Sequence, residues 1–354
     1  MYPAYRQIDP GSLATRSREP ISLRRLLPTA SFVGCVDIRI VGATDRAEEC
    51  TPGMLFVSHG PTAEDHLHRA SDAVRRGASA LLVSQPIAGL AVSQCVVPQV
   101  GRAYGQICAS LVGRPMRSVR SVAVAGTADT SEVSWLIHSI LSHAGHSAGL
   151  LTQEYQCDHP TPINEFQGGP CAKSFWDWMA QIRQQGRRFA TVEVRDGLLE
   201  TDWIAGSELE VAGITQLDPP VDATVEQIEH QLANCAQLLA MPRPGGTVLI
   251  NQDDPLIGEL RNRIPCHVDV VTFGLNRPAA FTASGIVKTP LGTRFSLAIR
   301  GNRQEIATRW AGTHHVRNCL MAAAAVDALG LSHDEIRAGL IATHSPYRRE
   351  RSAS

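Results

Sequence analysis

The residues best placed for chemistry form the segment Gly126-Thr127-Ala128-Asp129-Thr130-Ser131-Glu132. An apolar run, Ser121 to Ala125, precedes it and a stretch with helical spacing follows, so a strand, a turn and a helix are predicted there. Backbone N–H groups in such a turn, together with the helix N-terminus, face an anion. The segment is therefore a candidate phosphate-binding loop, although a Gly-Thr turn is weak evidence alone and Ser131 could equally be a plain helix cap.

The elements that must position this loop predict an α/β fold. After residue 120, continuous apolar strands alternate with helical stretches, which is the pattern of a parallel sheet covered on both faces. Alternation between Phe281 and Ile306 predicts short antiparallel strands at one edge. The prediction is a small N-terminal α/β domain at 21–115, followed by a doubly wound, mostly parallel, P-loop-like central domain at 116–340. Residues 1–20 are expected to be a flexible lead and residues 341–354 a hinge-like tail. The predicted helices are Glu64–Arg76, Tyr104–Val112, Glu132–Ala144, Phe175–Gln185, Val225–Leu239, Pro255–Arg261 and His315–Leu329.

Composition excludes several classes of protein. With 354 residues, 44% of them hydrophobic, the chain is long enough for two packed domains and is neither fibrous nor wholly disordered. A net charge of -1 leaves no basic surplus for a nucleic acid partner. No apolar run is long enough for a membrane span, and the first residues lack the apolar core of a signal peptide, so a cytoplasmic location is predicted. The 9 cysteines never form a CxxC pair, which indicates buried thiols.

The order of segments around the loop resembles the Mur ligase family, most closely its UDP-N-acetylmuramoyl-tripeptide synthetase branch. The resemblance runs from about Ser22 to Arg351. Its pieces are Ser22–Leu27, Thr51–Val57, Arg76–Val83, the loop itself, Thr161-Pro162, Val192-Glu193-Val194, Pro244–Pro255, Thr272–Leu275, Gly312–Asn318 and Pro346–Arg351. Such ligases phosphorylate a carboxylate of a UDP-sugar peptide with ATP, and an incoming amine attacks the acyl phosphate. The resemblance therefore implies ATP and Mg²⁺ as cofactors, if any activity remains, and a UDP-sugar or nucleotide ligand.

The loop departs from the family pattern at the positions that handle charge. Thr130 stands where the family has its phosphate-binding lysine, and Asp129 stands where it has a glycine. Glu132 adds a carboxylate in the first turn of the helix. Each carboxylate ~4–6 Å from a polyphosphate opposes binding by ~1 kcal/mol or more. Because no lysine precedes Lys173, no other alignment supplies the missing cation.

The remaining positions that the resemblance singles out are partly kept. Glu193 is the residual catalytic candidate and, with Ser131, the candidate metal ligand, but Arg195-Asp196-Gly197 replace the hydroxyls and imidazole that should follow it. Two other family positions carry different residues. The segment after Gln216 lacks the family's histidine, and Asn234 stands where the family has a carbamylated lysine. The resemblance implies nucleotide binding by Gly126, Thr127, Asp129, Thr130, Ser131, His315, Asn318 and Arg348, and substrate binding by Asp45, His66, Thr161 and Pro162.

Three functions are compatible with these residues. A catalytically silent relative would act as a scaffold, partner or sensor in cell-wall precursor synthesis. A non-catalytic module would hold a nucleotide or UDP-sugar without turnover. A divergent ligase would work with a separate chain, because the family's third domain is expected to be absent after the hinge-like tail. The first is preferred, since the lysine and the histidine are missing and the third domain is expected to be absent as well. The surface that would face that domain is then expected to pair with a second copy or with a partner protein of cell-wall synthesis.

Overall fold

The computed structural model describes residues 19–58, 62–152, 172–194 and 204–344. They belong to two compact units, Met1–Gly113 and Arg114–Ser354. Both units are α/β with mostly parallel strands, as the sequence predicts.

The first unit is built on a five-stranded sheet with the order β2-β7-β6-β5-β4. Strands β4 to β7 run parallel, because a helix or loop crosses over between them, and β2 pairs antiparallel with β7. A separate antiparallel pair joins β1 and β3. The elements are β1 Ile21–Ser22, α1 Leu23–Leu26, β2 Ser31–Val33, β3 Arg39–Ile40, β4 Gly42–Thr44, β5 Met54–Val57, α2 Ala63–Arg75, β6 Ala80–Val83, β7 Ser93–Val96 and α3 Val100–Leu111.

The second unit is built on a nine-stranded sheet with the order β16-β15-β14-β13-β12-β11-β8-β10-β9. The strands from β8 to β13 are parallel, and β14 to β16 form the antiparallel edge that the alternation predicts. The strands are β8 Arg120–Ala125, β9 Ala148–Leu151, β10 Phe189–Glu193, β11 Leu209–Ile214, β12 Pro242–Asn251, β13 Asp269–Phe273, β14 Phe281–Thr289, β15 Gly292–Ile299 and β16 Asn302–Thr308.

Helices α4 and α8 form the centre of the core of the second unit. They pack against each other, and ten residues of α8, many of them alanines, are buried. Small side chains let this helix lie close to the sheet. The helices are α4 Thr130–His143, α5 Ala172–Gln184, α6 Val225–Leu239, α7 Ile257–Arg261, α8 Thr313–Ala328 and α9 His333–Ala342.

Two elements of the second unit are absent from the sequence prediction. Strand β9 has only four residues and includes a glycine, so it resembles a turn. Helix α9 has ten residues and begins with a capping box between Ser332 and Glu335. In the first unit, the alternation of apolar and polar residues over 36–41 predicts one strand, but only Arg39–Ile40 forms a strand.

Candidate functional site

The candidate loop lies at the point where the strand order in the sheet of the second unit reverses. Strand β8 ends at Ala125 and α4 begins at Thr130, so residues 126–129 connect them at the carboxyl edge. From β8 the chain passes to β9 and back to β10 on one side of β8, and then crosses to β11 on the other side. Open α/β sheets bind ligands in the crevice at such a reversal of strand order, and the candidate loop lies at this position.

Gly126 is required by packing inside the protein. Its φ is +143°, and a Cβ there would lie 2.1 Å from Thr215 Oγ1 and 2.9 Å from the Gln216 carbonyl oxygen. The next residue is also held by the β11 loop: Thr127 N–H donates to Gln216 O at 3.0 Å, and Thr127 Oγ1 accepts from Asp218 N at 3.0 Å. The Thr127 amide is therefore already engaged within the protein.

Asp129 holds a backbone conformation that favours glycine. Its φ is +62°, in the left-handed region, although it is the residue that precedes the first turn of α4. Its side chain makes no capping hydrogen bond to that turn. A non-glycine residue in this region costs about 1 kcal/mol. The loop thus keeps the shape of a glycine-bearing turn while presenting a carboxylate.

Glu193 is buried beside the start of α4, and its two oxygens have different hydroxyl partners. Thr130 Oγ1 donates to Oε1 and Ser131 Oγ donates to Oε2, each at 2.7 Å. The carboxylate is 5% exposed. The structure therefore brings together the predicted residues Thr130, Ser131 and Glu193, and both hydroxyls are used to hold a carboxylate of the chain itself.

Glu132 joins α4 to α8. Asn318 Nδ2 donates to Glu132 Oε1 at 2.9 Å, and His315 Nδ1 makes a hydrogen bond with the same oxygen. Asn318 is 3% exposed, so its amide has little access to water. Sequence reasoning assigned His315 and Asn318 to the nucleotide site and noted Glu132 only as an added negative charge. It did not find this contact, because 186 positions separate the carboxylate from the amide. The i, i+3 spacing of His315 and Asn318 on one helix face was the available signal.

Polar side chains at the neighbouring strand ends also form hydrogen bonds within the protein. Arg317 Nη1 donates to the Gln216 side chain, and Asn251 Nδ2 donates to Thr215 O at 2.9 Å. Asp254 accepts from the amides of Leu217 and Leu256. Burial raises the pKa of Asp254, and the two amide hydrogen bonds only partly oppose that rise. These contacts were not predicted.

The residues present do not fit a magnesium-bound triphosphate. The position of the family's lysine is Thr130, which donates to Glu193, and the hydroxyl of Ser131 does the same. Asp129 and Glu132 add negative charge to the loop and to the first turn of α4. Each opposes a nearby phosphate by ~1 kcal/mol or more. No phosphoryl-transfer step follows from this arrangement.

The substrate-binding candidates of the first unit lie close together. Asp45 follows β4 and Ser58 follows β5, so both are at the carboxyl edge of two adjacent parallel strands. Arg69 Nη2 donates to Asp45 O at 2.9 Å, and Ser58 Oγ lies 3.0 Å from His66 Nδ1. Helix α2 carries both His66 and Arg69. At this edge α2 therefore contacts both strand ends, through Arg69 at the Asp45 carbonyl and through His66 at Ser58.

Some predicted residues are outside the described part of the chain. Thr161, Pro162, Arg348 and the segment Arg195–Gly197 belong to this group. Within the described ranges, no three His, Cys, Asp or Glu side chains are arranged to hold a metal ion. In the same ranges, none of the helices is both long enough and apolar enough to cross a bilayer.

Comparisons with known proteins identify the family to which the second unit is similar. The model of the Mur ligase middle domain matches residues 124–326, which is more than half of the chain. A UDP-N-acetylmuramoyl-L-alanyl-D-glutamate--2,6-diaminopimelate ligase of Halalkalibacterium halodurans is 27% identical over 300 residues, covering 84% of this chain and 61% of the relative. A UDP-N-acetylmuramyl-tripeptide synthetase of a Roseiflexus species is 25% identical over 321 residues, covering 86% of this chain and 63% of the relative. The chain thus spans about three fifths of the length of these relatives.

Solved structures share the fold. A UDP-N-acetylmuramoyl-L-alanyl-D-glutamate--2,6-diaminopimelate ligase superposes with a TM-score of 0.76 at 18% identity, covering 91% of this chain and 66% of the other. A MurF ligase from Thermotoga maritima, solved in complex with ADP, gives a TM-score of 0.55 at 13% identity, covering 86% and 66% of the two chains. On the match of its central unit to the family model, the chain belongs to the Mur ligase family.

Proposed function

We propose that this protein is a non-catalytic Mur ligase relative that serves peptidoglycan-precursor synthesis in the cytoplasm as a scaffold, partner or sensor. One observation carries the proposal: the side chains of the nucleotide loop are bonded to carboxylates of the chain itself. The carboxylate of Glu193 accepts hydrogen bonds from the hydroxyls of Thr130 and Ser131. The carboxylate of Glu132 accepts one from the side-chain amide of Asn318 on α8.

The balance of interactions opposes a bound triphosphate. A phosphate group would have to displace these hydrogen bonds, and each hydrogen bond to a charged group contributes about 1.5–3 kcal/mol. The displaced carboxylates would then remain beside the phosphates without the cation that the family places in the loop. ATP therefore gains little from this site and must disrupt contacts that stabilise the unit.

The first test is direct. Isothermal titration of the full chain with ATP and Mg²⁺ is expected to show no saturable binding, and phosphate release is expected to match the buffer blank. The release assay includes a UDP-N-acetylmuramoyl dipeptide and a diamino acid, so that a turnover needing acceptor substrates is detected. Hydrolysis that Glu193→Ala abolishes would instead identify a divergent ligase.

The second test restores the family pattern. The triple variant Asp129→Gly, Thr130→Lys and Glu132→Thr is expected to gain measurable ATP affinity, since it replaces two carboxylates and adds the missing cation. The control, Glu305→Lys with Asp269→Asn, makes the same charge change at exposed positions away from the loop. An equal gain in both variants would mean that net charge alone attracts ATP.

A second candidate function rests on the polar cluster of the first unit. Asp45, Ser58, His66 and Arg69 are at one strand edge, which favours retention of a nucleotide or UDP-sugar without turnover. Titration with UMP, UDP and a UDP-N-acetylmuramoyl peptide tests it. We expect His66→Ala to weaken binding about tenfold and His68→Ala, at an exposed position, to leave it unchanged. This result would favour a binding module over a scaffold.

A further inference from the structure

The apolar face of helix α6 continues beyond the core. Residues 225, 228, 232, 235 and 239 are apolar or cysteine and follow the spacing of one helix face. The last three, Leu232, Cys235 and Leu239, are buried. Val225 is 79% exposed, and no residue of α6 before Leu232 is buried.

The exposed N-terminal half of this helix is closed by a regular cap. Thr224 and Gln227 form a capping box, in which the Thr224 hydroxyl accepts from Gln227 N and the Gln227 side chain accepts from Thr224 N. Such a cap holds the backbone of the first turn in the helical conformation. The preceding loop adds the fully exposed side chain of Val221. We call Val221, Val225 and Ile228 the α6 patch.

Acidic residues flank the α6 patch along the chain. Asp218, Asp222, Glu226 and Glu229 are all exposed. Glu229 is paired with Arg263 at 2.8 Å, but Asp218, Asp222 and Glu226 form no ion pair within the described residues. Glu226 is also favourable at a helix N-terminus, whereas Asp218 and Asp222 precede the helix and have no such role. Aliphatic side chains framed by uncompensated carboxylates suit a surface of opposite charge.

We propose that the α6 patch docks a partner polypeptide that presents aliphatic side chains flanked by arginine or lysine. A symmetric contact with a second copy would place two sets of these carboxylates face to face, and their repulsion disfavours it. The inference deepens the proposed function, because a protein without turnover acts through its partners. The two proposals fail separately: ATP hydrolysis would overturn the proposed function and leave the docking surface untouched.

The test uses the full chain and a defined probe. A fluorescent amphipathic helical peptide of leucine and arginine is expected to bind saturably, while its leucine and glutamate counterpart does not. Val221→Ser with Val225→Ser, and separately Asp222→Asn with Glu226→Gln, are each expected to weaken binding about tenfold, equivalent to ~1.4 kcal/mol. Because these side chains are exposed, thermal unfolding of the valine variant is expected to match the parent, and the loss of the Glu226 charge at the helix N-terminus is expected to lower it only slightly.

The matched control substitutes two exposed aliphatic residues elsewhere. Val287→Ser with Leu291→Ser, on the β14–β15 hairpin, is expected to leave peptide binding unchanged. The docking proposal is overturned if the arginine peptide does not bind, if the control weakens it as much as the patch variants, or if the patch variants retain full affinity. A concentration-dependent dimer in sedimentation, lost in Val221→Ser with Val225→Ser, would make a second copy the occupant and overturn it as well.

Discussion

At the scale of single residues, Glu132 has a structural role: it links the first turn of α4 to α8. The carboxylate is the partner of the buried Asn318 amide, so its removal leaves that amide without an acceptor. A buried polar group without a partner costs about 1–3 kcal/mol. We therefore expect Glu132→Thr to lower the free energy of unfolding by about that amount, as measured by urea denaturation.

Two other variants test the assignment. Glu132→Gln keeps a carbonyl oxygen for Asn318, and its loss of stability is expected to be smaller than that of Glu132→Thr. Glu305→Thr, at an exposed position on β16, is expected to change stability by less than about 0.5 kcal/mol. Equal losses for all three substitutions would show that the contact with Asn318 adds nothing.

His138 gives the second prediction at this scale. Burial within α4 is the main cause that lowers the pKa of His138 to about 4, and the charge of Arg187 acts in the same direction. The unfolded chain binds the proton at about pH 6.5, so between pH 6.5 and 4 it holds more protons than the folded chain. Stability is therefore expected to fall as the pH is lowered through this window, by on the order of 3 kcal/mol.

Variants at two histidines check this pH dependence. His138→Leu removes the titrating group and is expected to flatten the plot of unfolding free energy against pH between 6.5 and 4. The same substitution at His143, which is exposed on α4, is expected to keep the slope of the parent. A parent-like slope in His138→Leu would assign the acid sensitivity to other groups.

At the scale of elements, an ion-pair group ties three parallel strands together at their amino ends. Glu210 of β11 accepts from Arg120 of β8 at 2.9 Å and from Arg243 of β12 at 2.9 Å. Burial opposes the ionisation of Glu210, but hydrogen bonds from the two guanidinium groups outweigh it and lower its pKa. The stability that this group contributes is present above the unfolded pKa of Glu and is lost as the pH falls through the folded value.

The strand contact predicts a difference between two neighbouring glutamates. Glu210→Ala is expected to lower the free energy of unfolding by about 1–2 kcal/mol at pH 7, because two arginines lose a partner that is 11% exposed. Glu208→Ala also removes two arginine contacts, but its side chain is 35% exposed, so a loss below about 1 kcal/mol is expected. Urea unfolding measures both. Equal effects would exclude burial as the deciding factor.

Elements with a long, strong pattern could be predicted from the sequence. The spacing of apolar residues gave α6 its bounds, Val225–Leu239, and the alternation from Phe281 gave the antiparallel edge. Strand β9 and helix α9 were missed because they are short and their burial depends on neighbours far along the chain. For the same reason, the residues of the candidate site could be predicted but their hydrogen bonds could not. Glu132 contacts Asn318 only when α4 and α8 pack together.

At the scale of the whole molecule, the chain divides into two compact units after Gly113. Each unit has a sheet with its own core, which is the usual mark of a part that can fold alone. A fragment of residues 114–354 is therefore expected to unfold cooperatively in urea and to keep the acid sensitivity of His138, which lies within it. Circular dichroism without a cooperative transition would contradict this independence.

Gly126 shows how packing alone can require a residue that also marks a nucleotide-binding loop. A side chain at this position would collide with Thr215 and with the Gln216 carbonyl, which belong to the adjacent β11 loop. The glycine is therefore retained for the mechanical fit of two neighbouring strand ends, whether or not ATP is bound. A search for nucleotide-binding loops that depends on this glycine detects that fit, so a match at this position does not by itself report affinity for nucleotide.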